Sequence, residues 1–374
     1  MLPLTVVVIS NSEREVALET CIYFSEICDE VIFVDEQSPF LSKALVKALP
    51  SSIKYIEFRD DISPDEYVRV YKKRLKGAAI AKNEFVIHSN HDERYTRLGL
   101  IDCLKILQNK PEISFCSGQC VAMRSISKEG VVYFDLSYKN LLNYINVGPV
   151  NERVKFRTIK YAPIAHYSLW RKPLLVKALE EHICLNTTFT SRTNADELLF
   201  ELASDLQGQS LAVNSLLWIR NRVNDPIYSG NKLFKQDDLF NIHEKILFLL
   251  KNNSISHDKI LVRNLTDHFF HKDMRFDRLY KNSFFGGFTK VSRAFYSLAR
   301  NKYVRIRLHI KILIRDLALL MRKNYGSLNK TMLDIYLNDI ELISLDYQLK
   351  IDKDELVGLR NSLSRWLSER YIRI

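Results

Sequence analysis

Three apolar runs in the first quarter of the chain each stop on polar or acidic groups. Residues 4–10 (LTVVVIS) end on Ser10, the run EVIFVDEQS turns polar at Asp35, and EFVIHSNHDE passes from Phe85, Val86 and Ile87 straight into His88, Ser89, Asn90, His91, Asp92 and Glu93. Between them lie segments of helical period. Ala17, Leu18, Cys21, Ile22 and Phe24 recur at 3.6-type spacing, a short helix is expected over 40–49 ahead of the strand SIKYIEF, and Ser63, Pro64 and Glu66 form a helix start of N-cap, N1 and N3 type. Strands that are apolar on both faces and alternate with helices specify an α/β fold, a Rossmann-like, mostly parallel sheet flanked by helices. Such sheets bind ligands beyond the carboxyl ends of their strands, where Asp35 and the Asn90–Asp92 cluster fall.

Past residue 110 the pattern is mixed. EISFCSGQCVAM and EGVVYFD read as strands, 173–181 as a helix, NADELLFELASDLQG as an amphipathic helix closed by Gly208, and SLAVNSLLWIRNR as a strand. Beyond about Gly230 glycine and proline become rare and helical patterns dominate. The expected division is therefore an α/β domain over 1–230 and a basic all-helical C-terminal region over 231–374.

With 374 residues, 47% of them hydrophobic and 26% charged, the chain is long and apolar enough for a substantial core. Its formal charge of +11 calls for an anionic partner. The six cysteines show no CxxC pair or metal-ligand spacing, which fits reduced thiols in a cytoplasmic protein. The opening MLPLTVVVIS reads as a strand rather than a signal peptide, and no apolar stretch is long enough to span a bilayer. Acidic strand ends, with no helix-turn-helix, RRM or zinc signature, argue against nucleic acid. SNSERE after the first strand is not the glycine-rich phosphate loop of a nucleotidyltransferase.

Taken in order, these elements resemble the GT-A-fold, family-2-like bacterial glycosyltransferases of surface-polysaccharide biosynthesis, over residues 4–222. The family opens on a strand followed by Pro-Thr-x-Asn-Arg; VVVISNSER keeps Arg14 and the small polar character of Ser10 and Asn11. The family's Asp-Asp-Gly-Ser is matched in register by Asp35, Glu36, Gln37 and Ser38. Arg74 precedes Asn90 by 16 residues and Asp92 by 18, the offset between the family's helix arginine and its Asp-x-Asp acids. Asn90-His91-Asp92 stands in that motif's place, with its first acid replaced by an amide.

The resemblance implies an inverting transferase that takes a sugar from a nucleotide-sugar donor to a saccharide or lipid-linked saccharide acceptor. Asp35 would bind the base or ribose, and Arg74 with Lys73 the diphosphate. Asp92 with Asn90 would bind a divalent cation, Mg2+ or Mn2+, which stabilises the leaving diphosphate. An amide carries no charge, so that ion is expected to be weakly held or dispensable. His88 and His91 read as structural or sugar-contacting groups, imidazole being an untypical magnesium ligand. Asp196 or Glu197, at the start of a helix followed by a strand, would be the base that deprotonates the acceptor. Acids in a first helical turn also complement the macrodipole without any catalytic role. Tyr167, Trp170 and Arg171 would line the acceptor side, core packing being the other reading of Trp170.

The basic amphipathic segment 303–323 suits an anionic membrane surface, where a lipid-linked acceptor would be met, or else packing on the catalytic domain. A peripheral position on the inner face of the cytoplasmic membrane follows from the first of these. A non-catalytic nucleotide- or carbohydrate-binding protein of the same fold is the other class of function to test.

Overall fold

The computed structural model describes residues 1–10, 13–59, 66–125, 132–137, 142, 145–159, 164–185, 195–222, 236–253, 352 and 355. All of them lie in the compact unit formed by Met1–Leu265 and Tyr336–Ile374; the second unit, Thr266–Ile335, contains none. The expected boundary near Gly230, the helix start at Ser63 and the basic segment 303–323 lie outside the described residues.

The elements run β1 (Leu2–Ser10), α1 (Arg14–Ser25), β2 (Cys28–Asp35), α2 (Lys43–Ala48), β3 (Ile53–Glu57), α3 (Glu66–Ile80), β4 (Phe85–Asn90), β5 (Arg94–Tyr95), α4 (Arg97–Asn109), β6 (Ile113–Ser125), β7 (Val132–Ser137), α5 (Val150–Ile159), a 3-10 turn (Ala165–Tyr167), β8 (Leu169–Arg171), α6 (Lys172–Cys184), α7 (Ala195–Gln207), β9 (Gln209–Arg222) and α8 (Gln236–Asn252). The strands form one sheet in the order β3-β2-β1-β4-β8-β6-β9-β5, with β7 on β6. Pairing is parallel from β3 through β4 and between β6 and β9, whereas β8 runs antiparallel to both β4 and β6. The α/β fold is thus as expected, with a parallel N-terminal half and a mixed second half. All six cysteines are free.

Burial follows the apolar runs. Val6, Val7 and Val8 of β1 and Val31 to Val34 of β2 are fully covered, because helices close both faces of the sheet. On one face α3 approaches closely at Gly77: a Cβ there would sit 2.3 Å from Val7 Cγ1. Gly77→Val should therefore push α3 off the sheet and cost about 2–3 kcal/mol, read as a lower urea midpoint. At the foot of α7, Gly208 has φ +156°, and a Cβ would fall 1.8 Å from Ser114 Oγ, so only glycine closes this helix.

Two C-terminal pieces join this unit. α8 buries Ile246, Leu249 and Leu250 and packs on α7. Glu355 caps α4, its Oε1 accepting from Arg97 N and its Oε2 from Leu98 N at 3.0 Å, while Thr96 Oγ1 accepts from Gly99 N at 3.1 Å. A carboxylate on N–H groups that lack intrahelical partners is favourable on both hydrogen-bond and dipole grounds. Glu355→Ala should cost about 1 kcal/mol of unfolding free energy, read as a lower urea midpoint.

Candidate active site at the carboxyl edge of the sheet

Parallel register brings three strand ends level: Ser10 of β1 lies opposite Asp35 of β2, and Ile9 opposite Asn90 of β4. Asp35 is fully buried and its oxygens are occupied from within. Oδ1 accepts from Gln37 N at 3.0 Å; Oδ2 accepts from Arg14 Nε at 2.7 Å and from the Tyr55 hydroxyl at 2.8 Å. Burial, followed by the neighbouring Asp35 carboxylate, pushes the Tyr55 phenol up to about 12. Asp35 therefore organises the edge, and the groups it aims are the half-buried Arg14 and Gln37, joined further by Arg14 Nη2 donating to Gln37 O. Ser10 is buried, Ser38 is exposed and followed by a cis peptide to Pro39, and Asn11 lies outside the described residues.

Above these strand ends α3 presents Arg69, Lys73 and Arg74. Lys73 is fully buried and its Nζ donates to Ser10 O at 2.9 Å and to Glu36 Oε2 at 2.6 Å, while Arg69 Nε holds Glu36 Oε1 at 2.5 Å. Burial works to raise the Glu36 carboxyl, but the hydrogen bonds and charges of Lys73 and Arg69 outweigh it and hold it below its ordinary value. The charge of Lys73 is thus engaged by Glu36, which corrects its expected role on the diphosphate.

Arg74 differs. It is 5% exposed, its Nη2 donates to Asn90 Oδ1 at 3.2 Å, and its Nε has no partner. Among the described residues it forms no ion pair. The guanidinium rests 5.6 Å above the Tyr71 ring, whose hydroxyl lies 2.7 Å from His166 Nε2. His166 in turn stands 3.5 Å from the buried Glu201, which accepts from Ala165 N at 2.7 Å. Burial first, and then the charge of Arg74, holds His88, His166 and His182 below their ordinary values, so the His166–Glu201 contact is not an ion pair.

The turn after β4 carries the Asn90-His91-Asp92 triplet. Asp92 is half-buried and makes no hydrogen bond or ion pair among the described residues. His91 lies 3.6 Å from Glu13, and burial, partly opposed by Asp92, keeps it below its usual range. Glu93 is 2% exposed; burial pushes its carboxyl up to about 7, with Arg220 at 3.9 Å opposing and Asp92 reinforcing. At that distance Arg220 is beyond hydrogen-bond reach, and burial prevails.

The expected divalent ion fits this turn poorly. Asn90 offers a neutral oxygen that already accepts from a guanidinium, and an ion on that oxygen would stand about 5 Å from the Arg74 charge. At an effective dielectric near 20, such a pair repels by something of the order of 5 kcal/mol. Among the described residues of this turn Asp92 is an unengaged carboxylate, and no group of three or more His, Cys, Asp or Glu side chains among the described residues is placed to share an ion.

The trio expected to line an acceptor site separates. β8 descends from the carboxyl edge, with Ile87 opposite Leu169 and Phe85 opposite Arg171. Tyr167 stays near that edge but is buried, 3.7 Å from the Trp218 ring, with Arg220 5.3 Å from its own. Trp170 is a core residue: 1% exposed, stacked on Phe115 at 4.2 Å, its Nε1 donating to Ala165 O. Arg171 lies at the opposite edge, where it donates to Ile113 O and pairs with Glu84 at 2.7 Å. Both assignments to the acceptor site are corrected, because an antiparallel strand carries its later residues away from the site.

α7 runs the same way. Its end lies at the start of β6, where Ser114 Oγ donates to Gln207 O, and its middle, at Glu201, is beside Ala165. Its first turn, with Asp196 and the half-buried Glu197, therefore belongs to the carboxyl edge; the Asp196 side chain is outside the described residues.

Sequence reasoning missed Tyr71, His166, Glu201, Glu93 and Arg220 as parts of the site. Glu93 lay inside the motif but read as one more polar group of a turn. His166, amid IAHYSLW, showed no spacing to a partner.

No protein-family model and no curated protein matches this chain. Among solved structures it is similar to residues 1–349 of TarS from S. aureus, at a TM-score of 0.47 and 13% identity over 76% of this chain and 74% of that one. The same protein in complex with UDP gives 0.46 at 13% identity over 76% and 74%, and in complex with UDP-GlcNAc 0.46 at 12% over 76% and 75%. At these values the likeness carries no functional argument.

Proposed function

We propose that the protein is an inverting glycosyltransferase that moves a sugar from a nucleoside-diphosphate donor to a hydroxyl of a saccharide or lipid-linked saccharide in bacterial polysaccharide assembly. The observation that carries this reading is Arg74. A buried guanidinium with no carboxylate partner among the described residues is costly to maintain, and it stands directly behind the half-buried Asn90 at the shared end of the strands. That cost is offset when an anion arrives.

The donor diphosphate lies along the ends of β1 and β4, with Arg74 beneath it and the Arg14–Asp35–Tyr55 assembly holding the nucleoside side. Asp92 accepts from donor hydroxyls. A carboxylate of the α7 first turn, Asp196 or Glu197, takes the acceptor proton as its oxygen attacks the anomeric carbon. The carbon–oxygen bond to phosphate breaks, and its electron pair leaves with the nucleoside diphosphate. Attack from the face opposite the leaving group inverts the centre.

The basic segment 303–323 would bring the enzyme to the anionic inner face of the membrane, where a lipid-linked acceptor resides. No helix among the described residues is long and apolar enough to cross a bilayer.

Incubating the full chain with a panel of nucleotide sugars, with and without saccharide acceptors, tests the reading through release of nucleoside diphosphate. Release accelerated by one acceptor is expected. Binding without release under any combination would instead make the protein a nucleotide- or carbohydrate-binding member of the fold.

A further inference from the structure

We infer that Arg74, aimed by Asn90, takes the place of the divalent ion in neutralising the leaving diphosphate, so that donor binding and transfer need no metal. The inference rests on the transferase reading above and concerns the chemistry of its donor site.

Three observations converge on it. The first motif position is an amide, and its oxygen accepts from Arg74 Nη2 at 3.2 Å. An ion on Asn90 would compete with the guanidinium for that oxygen and repel it, whereas the amide orients the guanidinium and leaves its single positive charge intact. Arg74 is also pre-organised: it is buried, seated on the Tyr71 ring, and that ring is fixed by the contact of its hydroxyl with His166. Fixed positive charge that needs no rearrangement as the bond breaks is the form in which electrostatics assists a reaction most. Finally, the neighbouring cations are engaged elsewhere, Lys73 and Arg69 by Glu36 and Arg14 by Asp35. Arg74, which adjoins the motif, forms no ion pair among the described residues.

In the step itself the anomeric carbon–oxygen bond breaks and its electron pair moves onto the β-phosphate oxygen. Guanidinium N–H groups donate to that oxygen as its charge grows, and the acceptor proton passes to the α7 carboxylate. Planar N–H donors match phosphate oxygens in pairs, which a lysine ammonium does not. Asp92, freed from metal binding, serves as an acceptor for sugar hydroxyls.

The test is calorimetric titration of the full chain with UDP, GDP, dTDP and CMP, in EDTA and in Mn2+, together with the electron paramagnetic resonance of Mn2+ alone. One nucleotide should bind in EDTA with an affinity that Mn2+ changes by less than about threefold. Arg74→Gln should weaken it by about 30-fold or more, with Arg74→Lys in between. The native chain should leave the Mn2+ spectrum that of the free ion, and Asn90→Asp should produce a bound signal. An affinity gained only on adding Mn2+, with a bound-ion signal abolished by Asp92→Asn, overturns the inference and leaves the transferase reading intact. Failure of every nucleotide to bind in either condition overturns the reading as well.

Discussion

Replacing Asp196 by Asn and Glu197 by Gln in one chain is expected to lower turnover by about 10²- to 10⁴-fold while donor affinity stays within about twofold. A sugar hydroxyl is a weak nucleophile, and loss of its proton to a carboxylate occurs during attack, so the effect belongs to turnover and not to ground-state binding. The two single variants assign the base, the partner whose loss is tolerated being the bystander. The bland explanation makes an opposite forecast. If these acids serve only the dipole of α7, the double variant loses about 0.5–1 kcal/mol of stability and turns over normally. Thermal melting alongside a nucleoside-diphosphate release assay separates the two, and parental turnover in the double variant would place the base elsewhere.

Acid should begin to destabilise the protein above the ordinary carboxylate range, from about pH 6.5 downward. His88, His166 and His182 are buried and held neutral, His182 down to about 3 against 6.5 when unfolded. The unfolded chain therefore binds more protons below pH 6.5, and stability falls as pH drops through that window, by about 1.4 kcal/mol per unit for each histidine. Glu93 acts in the other direction. Its folded value of about 7 exceeds the unfolded 4.5, so its contribution favours the folded state at low pH and is lost as pH rises from 4.5 to 7. Among these four groups the three imidazoles outweigh Glu93, so their combined effect is a loss of stability as pH falls below 6.5. Circular dichroism melts across pH check this. His182→Phe should lower the acid midpoint, and Glu93→Gln should raise stability at neutral pH by about 3 kcal/mol. A melting temperature that is flat from pH 7 to 5 would refute the assignment of buried neutral imidazoles.

Much of the fold was legible because strand signals are local. The runs in β1, β2 and β4 needed no partner to be read: an apolar stretch that stops abruptly marks both a buried strand and its edge. The helix α4 and the strand β8 were not anticipated. α4 opens with Arg97, Leu98 and Gly99 and gains its N-terminal partners from Thr96 and from Glu355, which is remote in the chain. β8 is three residues long and is a strand only because β4 and β6 flank it. A segment that short carries no period.

The candidate site divides along the same line. Its strand-end members, Asp35, Asn90 and Asp92, were visible as polar groups closing apolar runs. Its charge balance was not, since Arg69, Lys73 and Arg74 look alike along a helix, and only their neighbours distinguish them.

By itself, then, the chain's order of residues determined where the strands run and which edge of the sheet is polar, because burial periodicity is written in adjacent positions. Tertiary structure alone decided that Lys73 is engaged by Glu36 while Arg74 is left facing Asn90, and that Trp170 packs into the core and Arg171 lies at the opposite edge from Tyr167. Ion pairing and strand direction depend on groups far apart in the chain meeting in space, and no local pattern records which of two neighbouring cations finds its counter-ion.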